Sequence, residues 1–173
     1  MSGTPVTRRR TFLLAAAMPT SLAALAGCGF ALRRAPELRF KTIQLVGFKP
    51  RSPFAEELRM NIDASKTTRV VEGAAQAEVV LEAIDDVREK SVVASTAVGQ
   101  VTEFSLRGRF KFRVRGAGGK ELIPPTELAL SRDLTYTESA ALGKEQEEGF
   151  LYRAMQSDIV AQVMRRLASI QNF

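Results

Sequence analysis

The stretch that decides the fold is Glu103-Phe104-Ser105-Leu106-Arg107-Gly108-Arg109-Phe110-Lys111-Phe112-Arg113-Val114-Arg115, in which apolar and charged side chains alternate. Successive side chains of a β-strand point to opposite faces, so this alternation predicts a strand over residues 101–115. One face is apolar and belongs to a core. The other is a row of five cations about 6.6 Å apart, at roughly 3.3 Å per residue. Its members are Arg107, Arg109, Lys111, Arg113 and Arg115.

This cation row repels itself unless negative charge lies beside it. Glu78, Glu82 and Asp86 lie on one face of the neighbouring predicted strand and can form cross-strand ion pairs of modest strength. Alternatively, the row binds a ligand or partner with closely spaced negative charges, such as the phosphates and acidic sugars of a glycolipid. Three acids do not neutralise five bases, but solvent can screen the rest, so the sequence leaves both interpretations open.

The chain around this strand predicts one α+β domain without repeats. The composition and turn signals predict strands at residues 40–48, 69–72, 77–93, 101–115 and 128–136. Residues 116–119 are glycine-rich and predict a turn between the last two strands. The pair Pro124-Pro125 predicts that the final strand starts late, because proline has no backbone N–H.

Two amphipathic helices complete the prediction. Ser52 is a candidate N-cap with Pro53 at the first helical position, ahead of an apolar repeat every four residues. The second helix is predicted at residues 144–170, where an apolar stripe recurs at helical spacing. Each element has one apolar side to bury, so we expect a two-layer sandwich, with a sheet of about four main strands and two helices packed on one face. The first repeat is Phe54, Leu58 and Ile62; the second stripe is Leu151, Met155, Ile159, Val163 and Leu167.

The N-terminus predicts a lipoprotein. Arg8, Arg9 and Arg10 precede an apolar run that ends in Leu25-Ala26-Gly27-Cys28, and Cys28 is the only cysteine. Residues 1–27 are therefore predicted to be a lipoprotein signal peptide, residues 28–39 an acylated tether, and residues 40–173 a single domain. A multi-chain lipid on Cys28 would anchor the protein durably, because each buried CH₂ contributes about 0.8 kcal/mol. The alternative is a buried core cysteine after an ordinary signal.

The export route and destination follow from neighbouring residues. The apolar run is interrupted by Pro19-Thr20-Ser21 and is too short to span a bilayer, which needs about 20 apolar residues. Arg9-Arg10 partly resembles a twin-arginine signal, but Leu14 stands where a lysine is usual, which favours the general secretory route. Gly29 follows the cysteine, where an aspartate would favour the inner membrane by analogy with bacterial lipoproteins. The sequence thus points to the outer membrane.

Chemistry-bearing residues are scarce. The chain has no histidine, and acylation removes its one thiol, so no catalytic residue, metal site or cofactor is expected. The acidic pairs Asp85-Asp86 and Glu147-Glu148 are interpreted as solvated surface. Removing the signal leaves 22 basic and 19 acidic side chains, and the bases do not alternate with aromatics as in a nucleic-acid site. Neither an enzyme nor a nucleic-acid partner is therefore predicted.

The chain resembles the LptE family of lipopolysaccharide-assembly lipoproteins. The resemblance runs from Cys28-Gly29-Phe30-Ala31-Leu32-Arg33, through the order of strands and helices, to Ala141-Leu142-Gly143-Lys144-Glu145-Gln146 before the last helix. It implies a two-layer α/β domain that plugs the lumen of the LptD outer-membrane β-barrel and helps deliver lipopolysaccharide to the cell surface. The expected location is the outer membrane, with the lipid anchor on its periplasmic side.

The resemblance also implies direct lipopolysaccharide binding through basic residues. Lys144 matches one such position, whereas a second falls among residues 94–99, where this chain has no base. Arg107, Arg109, Lys111, Arg113 and Arg115 are the predicted substitutes. The first alternative is a generic membrane-anchored periplasmic adaptor whose cation row contacts a protein or an anionic membrane surface. A lipid-modifying hydrolase is a more distant one, because histidine and a free cysteine are missing.

Overall fold

The computed structural model describes residues 36–171. The strands are β1 (Thr42–Val46), β2 (Arg69–Val70), β3 (Val79–Ser95), β4 (Val101–Gly116) and β5 (Glu121–Thr135). The helices are α1 (Pro53–Ala64) and α2 (Ala141–Ala168), and single 3₁₀ turns occupy Ala74–Gln76 and Glu138–Ala140. The signal peptide, Cys28 and most of the tether, which the sequence predicts at residues 1–39, lie outside the described residues.

One sheet has the strand order β2-β1-β3-β4-β5. Strand β1 runs parallel to β2 and β3, whereas β3, β4 and β5 form an antiparallel meander. Strand β2 has only two residues, so four strands make up most of the sheet. Both helices contribute buried side chains to the same core cluster as β4. The predicted α+β class, with two helices on one face, is confirmed.

The alternation in β4 produces the core. Phe110, Phe112 and Val114 are fully buried beneath the helices. The ring of Phe110 stacks on that of Phe54 from α1, with centroids 4.1 Å apart. Leu38, which the sequence assigned to the tether, is also buried in this cluster. A second, smaller cluster joins Leu106, Leu134, Tyr152 and Met155 under the first half of α2.

Helix α1 starts as predicted. The Oγ atom of Ser52 accepts a hydrogen bond from the backbone N–H of Ala55 at 3.3 Å, and Pro53 occupies the first turn, where a missing N–H is harmless. Its side chains Phe54, Leu58 and Ile62 are buried. The four-residue spacing of these apolar residues therefore did identify the buried face of the helix.

Strand β5 begins earlier than predicted, at Glu121 rather than at residue 128. Pro124 and Pro125 lie inside the strand, where the register shifts: Phe112 is opposite Thr126, but Val114 is opposite Ile123. The two prolines are tolerated because β5 is an edge strand. The irregular pairing with β4 also means that no backbone N–H has to donate across the ladder at these two positions. The expectation that the prolines delay the strand was wrong for this reason.

Within residues 36–171, no helix is both long enough and apolar enough to cross a membrane.

Candidate functional site

The cation row lies on the sheet face opposite the helices. Along β4 the even-numbered residues from Leu106 to Gly116 are buried, whereas the odd-numbered residues from Arg107 to Arg115 are partly or fully exposed. This open face therefore presents all five cations, as the alternation predicts. Their neighbours come from β3 on one side and β5 on the other.

One carboxylate serves the cations at the Arg115 end of the row. Glu82 on β3 accepts two hydrogen bonds of 2.9 Å from Arg113, through Nε and Nη2. Arg115 Nη2 donates to the same carboxylate at 2.6 Å. Both arginines are more than a third exposed, so solvent weakens these pairs, although the two-pronged geometry fixes Arg113 in orientation.

Three carboxylates surround Arg109 in the middle of the row. Its guanidinium lies 3.2 Å from Asp85, 3.7 Å from Glu89 and 4.0 Å from Glu127. The Nε atom of Arg109 is buried and has no hydrogen-bond partner among the described residues. This arginine is therefore committed to its cross-strand neighbours.

Arg107 and Lys111 differ from the other three cations. In the described part of the chain, no acidic oxygen lies within 4.0 Å of either side chain. Arg107 borders a shallow depression on the open face, whose lining includes the hydroxyl groups of Ser91, Ser105 and Ser131. These two cations are the members of the row with free capacity for an external anion.

Of the three predicted acidic partners, only Glu82 pairs with the row. Glu78 instead accepts a hydrogen bond from the backbone N–H of Lys41 at 2.6 Å. Asp86 lies opposite Phe110, on the helix side, because the register shifts between Ala83 and Asp85. This β-bulge adds one residue and reverses the faces, so Asp85 points to the cations and Asp86 does not.

Three partners of the row were not predicted from the sequence: Asp85, Glu89 and Glu127. The available signal was the end of the apolar alternation after Ala83, where Ile84 breaks the pattern. Burial raises the pKa of the displaced Asp86 above its ordinary value, while Arg88 and Lys49 lower it and Asp85 raises it further. Desolvation therefore outweighs the nearby positive charges at Asp86.

Lys144 is not part of the open face. It lies in the first turns of α2, where its Nζ donates to Glu147 at 2.8 Å and to Thr135 Oγ1 at 3.2 Å. Its neighbours Phe104 and Leu134 pack against α2, so Lys144 belongs to the helix side of the sheet. Lys144 instead lines a groove between α2 and the ends of β4 and β5, which we call the α2 groove. Its lining is Lys90, Phe104, Leu134, Tyr136, Ala141, Lys144, Glu145 and Glu148.

Among residues 36–171, no group of three or more acidic, histidine or cysteine side chains is placed to hold a metal ion. The surfaces that these residues do present are the charged cation row and the partly apolar α2 groove.

The fold and these surfaces define a class: a two-layer α+β domain with helices on one sheet face and a charged, open second face. Residues 40–167 match the family described as LptE, lipopolysaccharide-assembly. The match covers most of the chain, so the protein belongs to the LptE family. This family is non-enzymatic, in agreement with the prediction that the chain has no catalytic role.

Solved structures resemble the chain over nearly the whole domain. An uncharacterized lipoprotein B from Nitrosomonas europaea is 31% identical, with a TM-score of 0.68, over 82% of this chain and 91% of that one. The rare lipoprotein B from Shewanella oneidensis is 23% identical, with a TM-score of 0.65, over 75% of this chain and 95% of that one. A minor lipoprotein from Acinetobacter baumannii has 20% identity and a TM-score of 0.62, over 76% and 93%. No curated protein matches the chain.

Proposed function

We propose that this chain is an outer-membrane lipoprotein, anchored through Cys28 on the periplasmic side, that joins the LptD β-barrel and assists the assembly of lipopolysaccharide at the cell surface. The observation that carries the proposal is the family match over residues 40–167. The predicted signal peptide that precedes Cys28 supports the lipid anchor. Neither a cofactor nor nucleic acid has a part in this function.

The charged open face suits a barrel partner. The interior of outer-membrane barrels is polar. A protein that enters such a barrel therefore needs a surface that interacts favourably with polar side chains. The open face carries the five cations together with acidic partners such as Glu82 and Asp85. Such a face supports the role of a plug in the barrel lumen.

Lipopolysaccharide binding is proposed for the cation row and for Lys144. Arg107 and Lys111 contribute most within the row, because their donors are not committed to carboxylates. The other three cations help to hold the row in place through their ion pairs with carboxylates. To bind a phosphate, each would have to give up an existing ion pair; they are Arg109, Arg113 and Arg115. A charge-assisted bond contributes about 1.5 to 3 kcal/mol, towards the lower end on an exposed face.

The test compares barrel copurification with lipopolysaccharide capture in one pair of variants. The full-length protein is expressed in its native cell envelope. The outer membrane is solubilised in detergent, and whatever binds this protein is then isolated together with it. The test variant is Arg107→Glu with Lys111→Glu. The matched control is Arg39→Glu with Lys66→Glu, which makes the same charge change at exposed positions away from the row. The apolar face of β4 is intact in both, so folding should survive.

We expect the test variant to capture less lipopolysaccharide and to retain the barrel, while the control keeps both. Salt should affect the remaining binding less than it affects wild-type binding, because fewer exposed charges contribute. A test variant that still captures lipopolysaccharide but no longer copurifies with the barrel would assign the row to the interface with the barrel instead. No change in either would leave the row as a solvated sheet face. If the wild-type protein captured neither lipopolysaccharide nor the barrel, the result would favour the alternative of a generic membrane-anchored periplasmic adaptor.

A further inference from the structure

Three cations surround a shallow, open depression at the edge of the sheet formed by β1 and β2. It is lined by Lys41, which precedes β1, and by Lys66, Thr67, Thr68 and Arg69, which run from the end of α1 into β2. The side chains of Lys41, Lys66 and Arg69 are all exposed. We call these three cations the basic end; they belong to neither the cation row nor the α2 groove.

No carboxylate is paired with the basic end. Within residues 36–171, no acidic oxygen lies within 4.0 Å of the side-chain nitrogens of Lys41, Lys66 or Arg69. The carboxylate of Glu78 lies nearby, but it accepts a hydrogen bond from the backbone N–H of Lys41, at 2.6 Å. The three charges therefore remain available to an external anion.

Backbone contacts hold these cations close together. The N–H of Arg69 donates to the carbonyl oxygen of Lys41 at 3.0 Å. The hydroxyl of Thr68 donates to the carbonyl oxygen of Phe40, and Thr68 is only 5% exposed. The segment that carries Lys66 and Arg69 is thus fastened to the segment that carries Lys41, so the basic end is formed before any ligand arrives.

The basic end lies where the described chain begins. Lys41 is the fifth residue after Pro36, and Ile43 of β1 is opposite Val79, the first residue of β3. Strand β3 runs from there for 17 residues to the β3–β4 turn, roughly 50 Å away at about 3.3 Å per residue. The basic end and the tip of the β3–β4 hairpin are therefore opposite ends of the domain.

A lipid anchor on Cys28 would keep the basic end near a membrane. Pro36 is the eighth residue after Cys28, and covalent geometry limits eight residues to about 28 Å. The leaflet that holds the acyl chains would therefore lie within that distance of the start of the domain. Anionic phospholipids attract lysine and arginine side chains within about a Debye length, which is about 8 Å at physiological ionic strength.

We propose that the basic end binds the anionic phospholipid headgroups of the leaflet that holds the anchor, in the protein that has not yet joined the barrel. Lys41, Lys66 and Arg69 contact headgroup phosphates, and the hairpin tip points away from the bilayer. Because the acyl chains already anchor the protein durably, this contact sets the orientation of the domain and not its retention. The proposal rests on the lipid anchor of the proposed function and adds a second membrane contact to it.

The experiment measures energy transfer from the domain to a headgroup-labelled lipid, in vesicles that carry the full mature, acylated protein. Acylation blocks the thiol of Cys28, so a single introduced cysteine can be labelled alone. Ala64→Cys places the dye at the end of α1, beside the basic end, and Val98→Cys places it in the β3–β4 turn. Both side chains are exposed. The vesicles contain phosphatidylcholine, either alone or mixed with phosphatidylglycerol.

With phosphatidylglycerol present, we expect stronger transfer from the label at residue 64 than from the label at residue 98. The difference should shrink at high salt and in phosphatidylcholine alone. Lys41→Gln with Arg69→Gln should lower the ratio of docked to undocked domain about 25-fold, since each cation near an anionic leaflet favours attachment about fivefold.

The matched control is Lys49→Gln with Arg51→Gln. It removes one lysine and one arginine charge beyond the other end of β1, at exposed positions, and should leave the transfer unchanged. Arg39→Glu with Lys66→Glu is a second test variant, and it should also lose docking. Detergent micelles offer no anionic leaflet, so this variant should still keep lipopolysaccharide capture and the barrel. Thermal unfolding of every variant checks that the fold is intact.

The possible failures are distinguishable. Equal transfer from the two labels in anionic vesicles, or docking that is equally strong in phosphatidylcholine alone, would overturn the basic end while the anchor stands. Release of the domain by inorganic phosphate, but not by chloride at the same ionic strength, would assign the site to a free anion instead. Loss of the barrel with unchanged docking in Lys41→Gln with Arg69→Gln would assign it to the barrel. A wild-type protein that does not attach to phosphatidylcholine vesicles would overturn the anchor itself.

Discussion

At the scale of single residues, the β-bulge after Ala83 decides which charges meet. It turns Asp85 towards Arg109 and turns Asp86 towards the helices. Gly47, which follows β1, packs against this bulge with a positive φ of 81°. A Cβ atom at Gly47 would collide with the carbonyl oxygen of Ala83. The position therefore needs glycine for two reasons, its φ angle and its close backbone contact.

Gly47→Ala should lower the free energy of unfolding by more than the φ penalty alone, which is about 1 to 2 kcal/mol. The collision is with backbone, which cannot rotate away. The control is Gly99→Ala, which has a φ of 84° but nothing within 4 Å of the added Cβ. Denaturant unfolding of both variants separates the two contributions. Equal losses would mean that the bulge shifts freely to make room.

Asp86→Asn should make stability less dependent on pH. Burial raises the pKa of Asp86 in the folded state, so its neutral form is favoured there. Its contribution to stability is fully present below the unfolded pKa, near 3.8, and is lost as pH rises through the folded value. The variant should therefore be more stable than wild type at pH 7 and gain nothing at pH 3.

The measurement is thermal unfolding from pH 3 to pH 7. Asp85→Asn is the control, because it removes an ion pair with Arg109 on the open face and should lower stability at pH 7. A loss of stability in Asp86→Asn at neutral pH would show that Arg88 and Lys49 outweigh the burial of the carboxylate.

At the scale of elements, α2 holds two cores together. Its second half buries Ile159, Val163 and Leu167 in the main cluster, while Tyr152 and Met155 serve the smaller one. The helix passes closely over β4 at Gly108, where an added Cβ would lie 3.8 Å from Ile159 Cδ1. Polar contacts fasten the first half, including a hydrogen bond of 2.7 Å from the Tyr152 hydroxyl to the Glu89 carbonyl oxygen.

Ile159→Ala should lower the free energy of unfolding by about 2 to 5 kcal/mol, the usual range for truncating a buried aliphatic side chain. Ile159 is 3% exposed, so the cavity forms between helix and sheet. Phe150→Ala on the same helix is the control, because Phe150 is 66% exposed and should change stability little. Urea unfolding that leaves Ile159→Ala equal to wild type would contradict the role of this stripe.

At the scale of the whole molecule, the two sheet faces have separate tasks. The helix face supplies the cores and the α2 groove, whereas the open face supplies the cation row. The chain after Gly27 has 22 basic and 19 acidic side chains, so it is not strongly basic as a whole. Local placement of free cations, and not net charge, is what distinguishes the proposed binding surfaces.

The lipid anchor is a whole-molecule prediction, because it fixes the domain to a membrane. Cys28→Ala should abolish acylation and signal removal by the lipoprotein route. The fold should remain intact, since Cys28 precedes every helix and strand of the described domain. Intact mass of the mature wild-type protein and circular dichroism of the variant check the two statements. A mature wild-type protein with an unmodified Cys28 thiol would contradict the prediction.

The sequence by itself determined the sandwich, because alternation in β4 and four-residue spacing in α1 and α2 are local patterns that fix which side of each element is apolar. It also placed all five cations on one face. Tertiary structure decided which of them stay free. The bulge at Ala83–Asp85 and the irregular pairing near Pro124-Pro125 depend on cross-strand neighbours, which a single sequence does not specify. The meeting of Lys90 and Lys144 likewise required α2 to pack over a hairpin distant in sequence, since only long-range packing brings such residues together.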